Sequence, residues 1–446
     1  MTVRPTTRTG ATGGLRASVA VSAVAAVNGL SRTLGRGSGT VAGGRAGLAL
    51  DPRLLATLAT GRRVALVSGT NGKTTTTRLL ASAVAGPDPT SVVSNDTGAN
   101  MPAGHVAALA GAPRAPLAVL EVDEGYLGRL IDEAQPDVVV LLNLSRDQLD
   151  RIAEVRMLVD RWRGALAGLR APRPGLDGTV VVANADDPMV AYAAGTAPSV
   201  RWVGAGQVWH EDAVGCPACG GRIVFADDGR WACDRCDFAR PAVDVDVVGD
   251  ELVLSDGSRH PVRTALPGQF NRANAGMAAV AALALLEAVG GHGPDDGPPT
   301  LDLVIGRLAG VSDVAGRFST VMRSGRPVRL LLAKNPAGWT AIFDLLDEAG
   351  GPAVPVVLSV NARTADGLDT SWLWDVPFER LAGRSVVATG DRRLDLAVRL
   401  RYGGVDHDVV DGPLAALDHA VGRSEDGATV DFLGNYTAFA DLRRAL

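Results

Sequence analysis

The run Val64-Ala-Leu-Val-Ser-Gly69-Thr70-Asn71-Gly72-Lys73-Thr74-Thr75 leads from a short apolar strand through a glycine turn into a helix start. Backbone N–H groups in such a turn wrap a phosphate, and the helix N-terminus adds a favourable dipole. Lys73 is placed for the outer phosphates and the Thr74 hydroxyl for a Mg²⁺ ion. The strict phosphate-loop pattern would put glycine where Val67 stands. A glycine turn with no ligand is the competing reading, and lysine usage argues against it. Of 44 basic residues only Lys73 and Lys334 are lysines; the rest are arginines. Under that bias, a surviving ammonium is expected where a compact point charge is required.

All four cysteines fall in Cys216-Pro-Ala-Cys219 and Cys233-Asp-Arg-Cys236, with 13 residues between the pairs and a turn at Asp227-Asp228-Gly229. Two such knuckles complete a tetrahedral S₄ set suited to Zn²⁺, and four protein ligands leave no open position, so the role is structural. Disulfides are the alternative in an oxidising compartment. A nucleic-acid ribbon is disfavoured because the intervening residues are not notably basic. No thiol remains elsewhere in the chain as a nucleophile.

A third polar segment runs from Asn361 through Asp366-Gly367-Leu368-Asp369-Thr370-Ser371-Trp372. Read from its residues alone, Asp366 and Gly367 make a turn and Asp369 caps a helix carrying Trp372.

These segments need a framework. At 446 residues, with 46% hydrophobic and 21% charged, the chain is globular and long enough for two or three domains. A net charge of -5 argues against a protein that works by gripping nucleic-acid phosphates. Apolar runs at Val64–Ser68, Leu117–Val122, Asp137–Leu144 and Thr179–Asn184 alternate with helix-compatible stretches, as in a parallel sheet covered on both faces. Residues 243–257 alternate like an antiparallel hairpin, and Asn271–Ala288 reads as helix. A second alternation beyond Gly316 predicts a smaller α/β domain. The expected division is an N-terminal helix and connector over 1–50, a central domain over 51–315 carrying the ribbon at about 206–245, and a C-terminal domain over 316–446. Ala17–Ser31 is expected to be a helix rather than an export signal, and no apolar run reaches the roughly 20 residues of a bilayer span. A cytoplasmic chain is expected.

Six landmarks in order resemble the Mur ligase and folylpolyglutamate synthetase superfamily. These ligases activate a carboxylate with ATP as an acyl phosphate, which an amine then attacks. The landmarks are the Gly69–Thr75 turn, Leu120-Glu121-Val122, Asn143-Leu-Ser-Arg-Asp147-Gln148-Leu149-Asp150, Asn184-Ala-Asp-Asp187, Gly268-Gln-Phe-Asn271-Arg-Ala-Asn274 and Gly316-Arg317. The resemblance implies ATP on Gly69, Thr70, Asn71, Gly72, Lys73, Thr74 and Thr75. It implies Mg²⁺ on Thr74 and Glu121, Asn271 and Asn274 toward the adenine, and Arg317 beside the nucleotide at the third domain's start. There are departures. Gln148 replaces a histidine near the metal, no lysine lies between Lys73 and Lys334 to be carbamylated, and Leu331-Leu-Ala-Lys334-Asn335-Pro336 lacks the ribose-binding aspartate. Only about 60 residues precede the loop, too few for a nucleotide-sugar-binding first domain.

With the cysteine ribbon and the Asp369 segment added, the chain over about residues 50–446 resembles the synthetase-subunit family of lipid II isoglutaminyl synthase, the MurT family. Its members work with a GatD-type glutamine amidotransferase. The resemblance implies a Mur-ligase-type ATPase domain with a Cys₄ zinc ribbon and a smaller α/β C-terminal domain. It implies amidation of the D-glutamate α-carboxylate in the lipid II stem peptide, with cofactors ATP, Mg²⁺ and Zn²⁺. Asp369 would complete a Cys–His–Asp triad in the partner of a heterodimer working at the inner face of the plasma membrane, with at most peripheral membrane contact and no nucleic acid. A folylpolyglutamate-type ligase or a non-catalytic zinc-ribbon nucleotide-binding protein are the alternatives; the former explains neither the ribbon nor Asp369.

Overall fold

The computed structural model describes residues 14–33, 40–95, 98–146, 155–173, 177–206, 209–290, 298–311, 318–348 and 354–446. Three helices come first: α1 (Leu15–Thr33), α2 (Thr40–Leu50) and α3 (Leu54–Ala59). The alternating unit follows as β1 (Arg63–Ser68), α4 (Lys73–Ala85), β2 (Val92–Ser94), α5 (Pro102–Gly111), β3 (Leu117–Glu121), α6 (Leu127–Ala134), β4 (Val138–Leu141), α7 (Val155–Ala167), β5 (Val180–Asn184), α8 (Pro188–Ala194) and β6 (Val200–Gly204). These strands pair in parallel in the order β6-β5-β4-β1-β3-β2. β3 and β4 are buried throughout and β1 nearly so, which is why they read as continuous apolar runs rather than alternating ones. The chain visits β2 and β3 on one side of β1 and then crosses to β4 on the other. The crevice beyond the carboxyl ends of β1 and β4 is therefore a topological switch point, where α/β sheets bind ligands. The expected strand at 137–144 is shorter because after Leu141 the chain turns over this crevice, with Leu142 N–H donating to Ser68 O at 3.0 Å.

A two-stranded hairpin, β7 (Ile223–Phe225) and β8 (Trp231–Cys233), stands apart from the main sheet. The sheet then grows beyond β6 through β9 (Val245–Val248), β10 (Glu251–Leu254) and β11 (Arg259–Pro261), the last two pairs antiparallel. Helices α9 (Gln269–Val289) and α10 (Leu301–Leu308) complete the unit. α9 corrects one expectation: its length and composition do suit a bilayer span. Its Ala-rich surface instead packs among α4, α10 and the main sheet, with Ala278, Ala279, Ala281 and Leu285 fully buried. It is a core helix.

The second sheet is built from β12 (Phe318–Arg323), β13 (Arg326–Leu332), α11 (Pro336–Glu348), β14 (Val356–Ser359), β15 (Val386–Thr389), α12 (Arg393–Tyr402), β16 (His407–Val409), α13 (Pro413–Gly422), β17 (Val430–Gly434) and α14 (Tyr436–Ala445). Its order is β12-β13-β17-β14-β15-β16, parallel except for β12. α11 and α12 cover one face, with Trp339, Phe343 and Phe378 at its centre; α13 and α14 cover the other. Truncating one of those buried rings to alanine would cost about 3–5 kcal/mol.

Candidate functional site

The glycine turn between β1 and α4 sits in the first sheet's crevice. Gly69 and Gly72 have φ of 146° and 84°, conformations that favour glycine. Space forbids a side chain as well: a Cβ on Gly72 would meet Asn274 Oδ1 at 2.5 Å, and one on Gly69 would meet Leu142 Cβ at 2.9 Å. The turn is braced from β4's far end. Thr70 N–H donates to Asn143 O at 2.9 Å, Asn71 N–H to Asn143 Oδ1 at 2.9 Å, and Ser145 N–H to Thr70 Oγ1 at 3.0 Å. The Asn143 landmark thus holds the loop's shape.

Lys73, the first residue of α4, is 4% exposed. Its ammonium donates to Gly69 O at 2.5 Å and pairs with Glu124 Oε1 at 2.9 Å. Thr74 donates to Glu121 Oε2 at 2.8 Å, while Asn100 Nδ2 donates to Glu121 Oε1 at 3.2 Å. A hydroxyl and a carboxylate that close fit a shared hard cation such as Mg²⁺, which takes few protein oxygens. Glu121 is fixed from behind by Asn95, which accepts from Glu121 N–H at 2.8 Å and donates to its carbonyl at 2.9 Å. His105 Nε2 lies 2.7 Å from the same carbonyl, and burial pushes its pKa down to about 4, so it is a neutral donor there.

Beside the loop opens a cleft of about 210 Å³ between the two sheets' domains. Asn71, Gly72, Thr75, Asn271 and Asn274 line one side, and Leu331, Leu332, Ala337 and Gly338 the other. Asn271 Nδ2 donates to Pro267 O at 2.6 Å. Asn274 is placed against Gly72, with its Oδ1 3.3 Å from Thr76 Oγ1, so its side chain braces the loop as well as lining the cleft. Lys334, two residues after Leu332, is half-buried and is not among the lining residues. The segment holding Asp147, Gln148 and Asp150, and the pair Gly316-Arg317, lie outside the described residues.

The four cysteine Sγ atoms lie within 4.8 Å of one another, with Cys219–Cys233 at 3.5 Å and Cys216–Cys236 at 3.8 Å. A tetrahedron of about 2.3 Å Zn–S bonds has edges of about 3.8 Å, whereas a disulfide is about 2.05 Å. The N–H groups of Gly221 and Arg235 point at Cys219 Sγ and Cys233 Sγ, each at 3.3 Å. Desolvation raises the Cys233 thiol's pKa, but the Arg235 N–H and the neighbouring thiols outweigh it and bring the value down to about 7. The donor set fits zinc. The ribbon is docked on the turn after β5: Trp231 Nε1 donates to Ala185 O at 3.0 Å, and Arg240 pairs with Asp186 at 2.5 Å. Asp187 caps α8 and accepts from Leu144 N–H at 2.8 Å, tying this turn to the segment that braces the loop.

Asp369 is not among the residues that line the cleft. It is exposed, and its Oδ1 accepts from Ser371 N–H at 2.8 Å, a local turn entering the short 3₁₀ helix Ser371–Asp375. The Ser371 N–H, then its hydroxyl, holds the carboxyl below its ordinary range. Asn95, Asn100, His105 and Glu124 are the site residues that sequence reasoning did not single out.

A P-loop-like turn at the switch point of a parallel sheet, an acid beside its threonine and a cleft closed by a second α/β domain define a Mur-ligase-type nucleotide-dependent ligase. The Mur ligase middle domain matches residues 67–213, and the MurT ligase C-terminal domain matches residues 332–439. The subunit MurT of lipid II isoglutaminyl synthase (glutamine-hydrolyzing) from Streptococcus pneumoniae is 30% identical over 454 residues, 94% of this chain and 94% of that protein. The Staphylococcus aureus (strain COL) subunit of the same name is 28% identical over 86% of this chain and 87% of its own. The pseudomurein peptide ligase type C of Methanothermus fervidus shares the fold, with a TM-score of 0.63 at 19% identity over 86% of this chain and 79% of its own. The chain belongs to the MurT family.

Proposed function

We propose that the chain is the synthetase subunit that amidates the α-carboxylate of D-glutamate in the lipid II stem peptide, giving D-isoglutamine. The observation that carries this reading is the end-to-end match to the MurT relatives, which takes in the phosphate loop, the ribbon and the Asp369 segment together. ATP would lie with its phosphates on Gly69–Thr75 and its base in the cleft beside Asn271. When bound, Mg²⁺ on Thr74 and Glu121 would neutralise charge on the phosphates. Lys73 exchanges its bond to Glu124 for the outer phosphate and stabilises the charge that develops as the carboxylate attacks. The product is a mixed acyl phosphate and ADP. Ammonia then attacks the acyl carbon, and phosphate leaves.

Releasing ammonia from glutamine calls for an activated nucleophile. With every cysteine in the ribbon, that nucleophile belongs to a GatD-type partner. Asp369 suits the contact with it: an exposed carboxylate held below its ordinary range, next in the chain to the exposed Leu368 and five residues before Trp374, whose ring packs on Tyr402, apolar groups 55–77% exposed. Such exposed aromatics are what interface cores contain. The pairing works in the cytoplasm, at the membrane's inner face. Incubating the chain and its amidotransferase with ATP, glutamine and lipid II should yield ADP and a muropeptide with the mass change of hydroxyl replaced by amino. ATP turnover without that product would refute the reading.

A further inference from the structure

We infer that the outer face of helix α1 docks on an anionic bilayer surface. The inference rests on the lipid-linked substrate proposed above, but its observations are separate. The first fifty residues contain six arginines and no aspartate or glutamate, in a chain whose net charge is -5. α1 and α2 form a hairpin seated tightly on the central domain. Gly44 and Gly47 of α2 touch Ala103 and Val24 so closely that a Cβ would come within 1.7 and 2.6 Å. Ala17, Ala20 and Val24 face inward. The opposite face carries Leu15, Val19 and Leu30, which are 85%, 52% and 60% exposed, at helical spacing with Ser22 and Ala26 between them.

Arg16 lies about a quarter-turn to one side of that apolar line and Arg32 about a third of a turn to the other; both are exposed, as is Arg45 on α2, and Arg16 Nε also donates to Leu50 O at the end of α2 at 2.7 Å. An apolar stripe flanked by guanidinium groups is the arrangement of a helix lying in a headgroup layer, where the long basic side chains reach outward to phosphates. The hairpin is fixed rather than tethered, so the same contact would orient the central domain on the surface. An acidic protein partner would satisfy the arginines but not select for lipid.

The test is co-sedimentation of the full chain, together with its amidotransferase subunit, with vesicles of phosphatidylglycerol and phosphatidylethanolamine, against vesicles of phosphatidylcholine alone. Binding to the first set only is expected. It should weaken on the order of fivefold for each of Arg16→Ala and Arg32→Ala, and at least on the order of tenfold for Leu15→Ser/Leu30→Ser. Leu15, Leu30 and Arg32 are exposed, so an unchanged melting temperature checks that their variants fold; Arg16→Ala also removes the bond to Leu50 O, so Arg32→Ala is the cleaner charge variant. Equal sedimentation with both vesicle sets, or variants that bind like wild type, overturns the inference. Amidation of lipid II in detergent micelles separates the two readings. Retained micelle activity with no vesicle binding sinks the docking face alone, and vesicle binding by a chain inactive in micelles sinks the enzymatic reading alone.

Discussion

Asp369→Asn isolates the proposed partner contact from everything else the chain does. The residue is exposed, and among the described residues its carboxylate is held by Ser371 alone, whose N–H donates to Oδ1 at 2.8 Å and whose hydroxyl bonds it as well. An asparagine carbonyl accepts the same bond, so the turn and the 3₁₀ helix behind it keep their shape and the melting temperature should not move. What disappears is the negative charge. In a Cys–His–Asp arrangement the carboxylate selects the imidazole tautomer and stabilises the imidazolium, and its replacement by an amide costs about 10⁴ in turnover where the triad is otherwise intact. Glutamine-driven amidation should therefore fall by about three to four orders of magnitude. Free ammonium at alkaline pH bypasses glutamine hydrolysis, and there the variant should amidate lipid II at the wild-type rate. Both rates are read from one product assay, with glutamine or ammonium chloride as nitrogen source. Failure of ammonium to restore activity while glutamine hydrolysis stays normal would place Asp369 in the synthetase site. Parallel loss of both activities and of thermal stability would make it a turn residue only.

Lys73→Ala should lower ATP-dependent amidation by about 10²–10³, the usual cost of losing one preorganised charge. Lys73→Arg should rescue little, because the planar guanidinium does not fit between the Gly69 carbonyl and Glu124. Freshly purified reduced protein should contain about one zinc per chain by metal analysis, and Cys219→Ser should lower both zinc content and the ribbon's resistance to proteolysis. Glu379, held below the ordinary carboxylate range by its hydrogen bonds with Arg399, contributes stability above the unfolded value of about 4.3. That contribution is lost as pH falls through the lower folded value, and with the Glu379 side chain 56% exposed it is a modest one, seen on the acid limb of an unfolding curve followed by tryptophan fluorescence. Glu379→Gln should flatten that acid limb.

How much of this could be read beforehand depended on how local each feature is. The loop from Val64 to Thr75 and the two cysteine knuckles are contiguous, and their chemistry follows from neighbouring residues. Asp369 was nearly as local: its bond from Ser371 N–H is an Asx-type turn two residues long, whereas the expected cap position of the 3₁₀ helix is taken by Thr370, one residue later. The environment of Glu121 was not legible, because Asn95, Asn100 and His105 reach it from β2's end and from α5 across the sheet. The same holds for Glu124 beside Lys73, a pair 51 residues apart. Strands β2, β11 and β16, with three residues each, carry too short a pattern to register, and exist because longer neighbours pair with them. α9 was legible as a helix, but its composition alone does not say what covers it. Its alanines fill a tight interior, and that composition is also apolar enough for a membrane.

The junction between the two α/β domains shows where closure energy resides. Among the described residues the ion pairs Arg146–Asp375 at 3.5 Å and Arg272–Glu348 at 3.3 Å cross it, each with a partner at least 40% exposed. Pairs of that kind contribute about 0–1 kcal/mol. Phe270, in the first turn of α9, packs instead, partly buried, against the core cluster of the C-terminal domain, and Leu345 of that domain lies within ordinary contact reach of Gly268. Full burial of a phenylalanine is worth about 1.5–3 kcal/mol, and the partly buried Phe270 gains a share of that, at least comparable to either pair. Phe270 also adjoins Asn271, and both line the cleft. The peg that joins the domains and the pocket proposed for the adenine are thus one structure. A nucleotide seated there touches the loop on one side and β13's end on the other. Its binding therefore bears directly on the placement of the C-terminal domain, the domain that presents Asp369.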